Sequence, residues 1–233
     1  QASKLKSLEI LGQGTALPEY WLGKEESIKY VNDYFCETEE ERGWVSILYD
    51  KVGVDRRYSV LLKRPEGMPD RHPDFPPPQD PSDPGPSVGY RMRLYERECA
   101  PLALRASKQA LEQSEIAPGE ITHIITISCS GFFAPGVDIA LIKGLGLPCT
   151  VQRMHLGFMG CYAAINGMRV AQGLAGSDPS ARILLCAVEL CSLHYHYGKR
   201  PEHIVANALF SDGAAAAVVA PRQHAGDGAW CVT

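Results

Sequence analysis

The second half of the chain alternates near-continuous apolar runs with amphipathic stretches. Short, almost uninterrupted apolar runs are typical of strands that are buried on both faces, and here they are ITHIITIS, ARILLCAVEL and AAAAVVA. Helical spacing marks three longer segments, ERECAPLALRASKQALEQSEI, PGVDIALIKGLGL and CYAAINGMRVAQGLA. Strands and helices in alternation predict an α/β fold in which helices cover both faces of a sheet.

The first third of the chain is less regular. The segment LKSLEILGQGTALP predicts a strand that runs into a Gly/Pro turn, and residues 24–51 predict one or two surface helices. Residues 64–89 concentrate proline, aspartate and glycine, which predicts a long surface loop. A linker between independent domains is the rival interpretation. The preceding segment has too few strand and helix signals to hold a core alone, so we predict one domain over residues 1–233.

The helix predicted from Cys161 to about Ala175 is apolar on most of its sides. A helix of this kind is buried between layers and needs a sheet on each side, whereas this chain supplies strands for barely one sheet. The pattern therefore implies a partner layer that the sequence does not visibly encode. The apolar positions are Ile165, Met168, Val170, Ala171 and Leu174.

Composition narrows the class of protein. The 233 residues are 45% hydrophobic and 21% charged, as in ordinary globular proteins. The formal charge of -4 gives no electrostatic reason to expect nucleic acid or anionic lipid as a partner. The start QASKLKSLEI has no apolar signal region, and no run reaches the roughly 18 apolar residues of a membrane helix. Eight scattered cysteines indicate free thiols, no disulfides and a cytoplasmic location.

Cys161 is the candidate nucleophile. A thiol at a helix N-terminus faces unpaired backbone N–H groups and the positive end of the helix dipole, which favour the thiolate. Gly157 and Gly160 allow a sharp turn into the helix, so that the same amides approach an acyl carbonyl on the sulfur. Without further context, a lone cysteine before an apolar helix is more often structural.

Two other patterns have plainer explanations. Cys186, Cys191, His194 and His196 form a C-x4-C-x2-H-x-H cluster, but Cys186 lies within a predicted strand and the spacing is not that of a zinc finger, so we predict no metal. The glycines of GLG at 144–146 follow a helix rather than a strand, which indicates a helix cap and not a dinucleotide fingerprint.

Four motifs in matching order resemble the type III polyketide synthases, the chalcone and stilbene synthase-like ketosynthases of the thiolase superfamily. The resemblance runs from about residue 5 to 220, and GFMGC is closest in form to the bacterial members. The motifs are ITHIITISCSGFFAPGVDIALIKGLGLP, VQRMHLGFMGCYAAINGMRVAQGL, ARILLCAVELCS and NALFSDGAAAAVV.

The resemblance implies a role for each matching position. Cys161 would be the acyl-carrying nucleophile, Phe210 an aromatic gatekeeper of the catalytic cavity, and Lys51 part of the coenzyme A entrance, where Trp44 and Ile47 replace cations of plant members. Cys129 and Ser130 would line the cavity wall, Cys191 and His194 would tune starter and chain length, Ala134 would reach into a partner subunit of a homodimer, and Glu189 would be a buried polar residue near the nucleophile.

The fold implied by the resemblance is thiolase-like, with αβαβα layers, of which this chain would be the first βαβαβ half plus N-terminal helices. The family's enolate-stabilising His and Asn come from a second half, and nothing after Val219 resembles it, since PRQHAGDGAWCVT reads as a loop and a stub. The implied activity is acyl transfer to a cysteine and decarboxylative extension with malonyl thioester. The substrates would be coenzyme A or carrier-protein thioesters, with no further cofactor, and the isolated chain would have little condensing activity.

Two alternatives stay open. A ketoacyl synthase III or hydroxymethylglutaryl synthase type acyltransferase would share the nucleophile, but it would not have the SCSGFFAPG loop and the ALFSDG pairing in this form. The chain would otherwise be a non-catalytic fragment or partner subunit. A subunit that only scaffolds has no need for a thiol at a helix head, and the retained Cys161 argues against that interpretation.

Overall fold

The computed structural model describes residues 7–63, 70–71, 75–80, 83–222 and 231–232. The strands are β1 (Leu8–Ala16), β2 (Trp21–Gly23), β3 (Arg56–Tyr58), β4 (Leu62–Lys63), β5 (Asp70–Arg71), β6 (His123–Ser128), β7 (Gln152–Gly157), β8 (Ile183–Leu190), β9 (Asp212–Pro221) and β10 (Cys231–Val232). The helices are α1 (Lys24–Phe35), α2 (Glu39–Val52), α3 (Val88–Ser114), α4 (Val137–Leu145), α5 (Ala163–Ser177) and α6 (Pro201–Leu209), with 3-10 turns η1 (Pro118–Glu120) and η2 (Cys191–His194).

The chain packs as two compact units. Of the described residues, the first unit contains 7–16, 96–189, 213–222 and 231–232, and the second contains those within 17–95 and 190–212. The prediction of one domain over the whole chain stays a prediction.

A six-stranded sheet forms the centre of the first unit, in the order β10-β1-β9-β8-β6-β7. Strand β6 runs parallel to β7 and to β8, and β1 runs antiparallel to β9 and β10. Every residue of β6 is buried, which explains its largely apolar pattern. Cys231 and Val232, predicted as part of a stub, form the short strand β10 against β1.

Helices cover both faces of this sheet. Leu185 belongs to the buried cluster under α5, together with Ile125 and Ile127. Cys186, the next residue, points to the other face, where its Sγ lies 3.8 Å from the Ala103 carbonyl oxygen of α3. The predicted helix–sheet–helix layering is therefore present.

The side of α5 that faces away from the sheet is open. Four small residues in one line, Ala163, Gly167, Ala171 and Ala175, are buried against the sheet. Ile165 is 58% exposed on another side. Within the described part of the chain no second sheet covers this side, so the partner layer that the apolar pattern implies is not among the described residues.

The second unit contains α1 and α2, and its lower regularity agrees with the sequence pattern. A capping box begins α2, in which Thr38 Oγ1 accepts from the Glu41 N–H at 3.2 Å and the Glu41 carboxylate accepts from the Thr38 N–H at 3.0 Å. Gly53 ends the helix in the left-handed conformation at φ 66°. The two predicted surface helices are thus present.

The predicted loop at 64–89 is described in part. Residues 64–69, 72–74 and 81–82 lie outside the described residues. Asp70 and Arg71 pair with β4, and the parts at 75–80 and 83–87 contain neither helix nor strand. Phe75 is buried against the ring of Tyr197, so the loop has an anchor that a purely surface loop does not need.

Within the described residues, no helix combines the length and the apolar character that crossing a membrane requires. Among the same residues, no group of three or more His, Cys, Asp or Glu side chains is arranged to hold a metal ion. Each of the seven cysteines whose side chains are described is a free thiol.

Candidate active site

Cys161 lies in a sharp turn between β7 and α5. Phe158 and Gly160 both have positive φ angles, 58° and 81°. Glycine adopts such an angle at little cost, whereas a phenylalanine there is strained by about 1–3 kcal/mol. The strain is retained in the turn that leaves the Cys161 side chain exposed.

The thiol stands at the positive end of α5. The helix begins at Ala163 with Tyr162 as N-cap, two residues later than the predicted start at Cys161. The Ala163 N–H donates to the Gly160 carbonyl at 3.0 Å and closes the turn around the cysteine. The first-turn amides and the helix dipole stabilise a negative charge near this position, whether a thiolate or an oxyanion.

A carboxylate organises the neighbouring loop. Glu189, near the end of β8, accepts from the Cys129 N–H at 2.8 Å, from the Ser130 N–H at 2.9 Å and from the Ser130 hydroxyl at 2.5 Å. It is half-buried rather than fully buried as predicted. Its oxygens fix the chain just after β6, and the Ser130 hydroxyl is directed at this carboxylate.

Cys129 connects that loop to the cysteine turn. Its Sγ accepts from the Gly160 N–H at 3.1 Å and lies 3.6 Å from the Gly160 carbonyl oxygen. Glu189, Cys129 and the residue before Cys161 therefore form one continuous network within the first unit. Of the residues predicted for the site, the structure brings Cys129 and Ser130 to this network.

Exposed aromatic rings surround the turn. Phe132 and Phe158 pack edge to face with ring centroids 5.9 Å apart, and Tyr162 is also exposed. We call these three residues the aromatic rim. Ala134, predicted to reach a partner subunit, is exposed in the same loop as Phe132. Clustered exposed rings indicate a surface that binds something apolar.

The other predicted substrate-binding residues belong to the second unit. Cys191 begins η2 and is half-buried, and His194 ends η2 and is exposed. Phe210 is the C-cap of α6 and is 49% exposed.

Asp212 is a buried carboxylate that sequence reasoning did not single out. Its Oδ1 accepts from the Ser192 N–H at 2.7 Å, and its Oδ2 accepts from the Ser192 hydroxyl at 2.6 Å and the Val60 N–H at 2.8 Å. Burial raises the pKa of the Asp212 carboxyl to about 6, against the hydrogen bonds, which lower it. The signal for Asp212 in the sequence was an acidic residue placed between Phe210 and the alanine-rich part of β9.

The raised pKa predicts a pH dependence of stability. Because the folded state binds this proton more tightly than the unfolded chain, the stabilising contribution is complete below about pH 4 and is lost as the pH rises through about 6. Between about pH 4.5 and pH 7.5 the wild-type chain should lose about 2 kcal/mol more unfolding free energy than Asp212→Asn. Urea denaturation across this range measures the difference, and parallel pH profiles would contradict the assignment.

Arg91, in the first turn of α3, holds the far end of η2. Its Nη1 donates to the carbonyl oxygens of Leu193 and Tyr195, and its Nε donates to the Pro86 carbonyl at 2.8 Å. Burial lowers the pKa of this guanidinium. Sequence reasoning missed Arg91 because its segment was interpreted as following a loop rather than as the start of a helix.

Lys51 lies exposed in the last turn of α2. Trp44 and Ile47 are exposed on the same helix face, seven and four residues earlier. That face thus carries one cation and two apolar side chains. Of the three positions compared with the coenzyme A entrance of plant members, only Lys51 is positively charged here.

The sequence profile described as "Chalcone and stilbene synthases, N-terminal domain" matches residues 1–222. The chain belongs to this family. Type III polyketide synthase C of Arabidopsis thaliana is 30% identical over 213 residues, which are 90% of this chain and 53% of that protein. An alpha-pyrone synthesis polyketide synthase-like protein of Mycobacterium tuberculosis is 36% identical over 137 residues, 59% of this chain and 35% of that protein.

Solved structures of type III polyketide synthases have the same fold. PKS-I from the brown alga Ectocarpus siliculosus superposes with a TM-score of 0.83 at 27% identity, covering 96% of this chain and 58% of that one. The type III domain of the hybrid synthase Steely1 from Dictyostelium gives 0.77 at 26% identity, covering 94% and 57%. The predicted thiolase-like α/β fold is confirmed, and this chalcone and stilbene synthase family chain spans about half the length of its relatives.

Proposed function

We propose that this chain is the nucleophile-bearing part of a type III polyketide synthase. The Cys161 thiolate attacks the carbonyl carbon of an acyl thioester, the bond from that carbon to the coenzyme A or carrier sulfur breaks, and the freed thiolate leaves. The observation that carries the proposal is the exposed Cys161 in a strained turn at the N-terminus of α5, within a chain of this family.

Chain extension completes the proposed reaction. A malonyl thioester loses carbon dioxide as its carbon–carboxylate bond breaks, and the resulting enolate carbon attacks the acyl group on Cys161, which releases the cysteine thiolate. This chain would supply the acyl carrier and the amides that stabilise the tetrahedral oxyanion. We assign no enolate-stabilising residue to this chain, so condensation by this chain alone would be weak.

The substrate-binding roles of Cys129, Ser130, Cys191, His194 and Phe210 are part of this proposal, as is the coenzyme A entrance at Lys51. We further propose a homodimer to which Ala134 contributes. Its exposure, the aromatic rim and the position of β7 at the sheet edge support that assembly. The free thiols support a cytoplasmic location.

Acyl labelling tests the proposal. We expect acetyl-coenzyme A to transfer one acetyl group to Cys161, located by peptide mass spectrometry, and Cys161→Ala to reduce the label at least about tenfold. Cys149 is also exposed and free, so Cys149→Ala is the matched control and should label like the wild-type chain. Equal labelling of both cysteines, or none on Cys161 in the folded chain, would favour the scaffold alternative.

A further inference from the structure

The backbone of η2 is fastened at both ends by buried charged side chains. At its start, Asp212 accepts from both the backbone N–H and the hydroxyl of Ser192. At its end, Arg91 donates to the carbonyls of Leu193 and Tyr195. A carboxylate at the N-terminal end and a guanidinium at the C-terminal end match the polarity of the turn.

The same carboxylate lies two residues after Phe210. The backbone around Phe210 is held on both sides: Arg57 Nε donates to the Ala208 carbonyl at 2.7 Å, and the Tyr58 N–H donates to the Ser211 hydroxyl oxygen at 2.8 Å. The Phe210 ring itself is half exposed. The hydrogen bonds thus hold the Ala208 carbonyl before Phe210 and the Ser211 side chain after it, and they do not include the Phe210 ring.

We propose that Asp212 is a positioning residue which, with Arg91 at the opposite end of η2, fixes the backbone that presents Cys191, His194 and Phe210 to the substrate. The inference rests on the proposed function, in which Cys191 and His194 tune starter and chain length and Phe210 is the gatekeeper of the cavity. Asp212 and Arg91 are both buried, and in this proposal they act through the segment that they hold.

The energetics support a role beyond stability. A carboxylate kept for stability alone would have its pKa lowered by its partners, whereas burial raises the pKa of Asp212. At neutral pH the fold therefore keeps a buried charge at a cost in stability. In some proteins a costly buried polar or charged group is retained because it fixes one local geometry, and we assign that role to Asp212.

Alkylation of Cys191 tests the positioning role without requiring activity. The first variant is Asp212→Asn. Each carboxylate oxygen of Asp212 accepts from a backbone N–H, so the amide NH₂ faces a backbone N–H in either orientation. The second variant is Ser192→Ala, which removes the hydroxyl that donates to Asp212. We expect the iodoacetamide rate of Cys191, divided by that of exposed Cys149, to rise at least about fivefold in each, because η2 opens locally. Ser192→Thr keeps the hydroxyl and should restore the ratio to within about twofold of wild type.

Asp178→Asn is the matched control. Asp178 also accepts from a serine N–H and hydroxyl, those of Ser180, but in the turn after α5. The Asp178→Asn substitution should leave the ratio of the Cys191 rate to the Cys149 rate unchanged. A Cys191 ratio equal to wild type in folded Asp212→Asn and Ser192→Ala would overturn the proposal, and Ser192→Ala alone decides if the Asp212 variant does not fold.

A second arm links positioning to specificity. The ratio of Cys161 labelling by acetyl-coenzyme A to labelling by dodecanoyl-coenzyme A should change at least about threefold in Ser192→Ala and return in Ser192→Thr. An unchanged ratio beside faster Cys191 alkylation would overturn the specificity role. No label in any variant would overturn the proposed function alone, since alkylation still decides whether Asp212 positions η2.

Discussion

Gly14→Ala should lower the free energy of unfolding by about 3 kcal/mol or more, because a side chain at this position overlaps the backbone of α3. A Cβ built on Gly14 lies 2.2 Å from the Ala106 carbonyl oxygen and 2.8 Å from the Ala110 nitrogen. Both are main-chain atoms, so no side-chain rotation relieves the overlap. Strand and helix would have to separate, which exposes the core between them.

Gly173→Ala is the matched control for this substitution. Gly173 lies in α5 of the same unit, and a Cβ there meets nothing within 4 Å. Since alanine favours a helix over glycine, the control should be neutral or stabilising by up to about 1 kcal/mol. Urea denaturation measures both variants, and equal stabilities would show that α3 and β1 are not packed this closely.

Glu189→Ala should have the second largest effect, a loss of about 2 kcal/mol together with loosening of the loop after β6. The N–H groups of Cys129 and Ser130 lose their carboxylate acceptor, and Ser130 is buried. Because Glu189 is half-buried, water replaces part of what is lost, which keeps the cost below that of a fully buried site.

The readout for Glu189→Ala is the alkylation rate of Cys129 beside the unfolding free energy. Cys129 Sγ is held on the Gly160 N–H only while the loop is in place, so its rate should rise. Glu120→Ala is the control, because the Glu120 carboxylate accepts from one backbone N–H at 3.0 Å on the surface. A rate of Cys129 alkylation as slow as in the wild-type chain would contradict the role assigned to Glu189.

The elements that could be predicted were those with a clear apolar pattern, together with the surface helices α1 and α2. The strands β6 and β8 are mostly apolar because both of their faces are covered, although β6 also buries the polar residues His123, Thr126 and Ser128. Strand β7 was missed because Gln152 to His155 are exposed at the sheet edge and leave no apolar pattern. Helix α6 was also missed. Gly146, by contrast, caps α4 in the left-handed conformation, as its sequence position predicts.

The residues of the site also differ in whether the sequence could identify them. Cys161 was singled out because four motifs in order resemble one family, and its role as the nucleophile stays a prediction. The structure places it exposed and just before α5. Asp212 and Arg91 were missed because most of their partners are distant in sequence. Asp212 bonds Val60 and Ser192, and Arg91 bonds Leu193 and Tyr195, both more than 100 positions away. No local pattern encodes such pairings.

By itself the sequence determined the α/β class, the family resemblance and the candidate nucleophile, because these depend on apolar periodicity and on short motifs. Only the tertiary structure decided which faces of α5 are covered, that Phe158 is strained beside Cys161, and that one buried carboxylate holds η2. The physical reason is that burial, backbone strain and hydrogen-bond partners depend on segments that meet only when the chain folds.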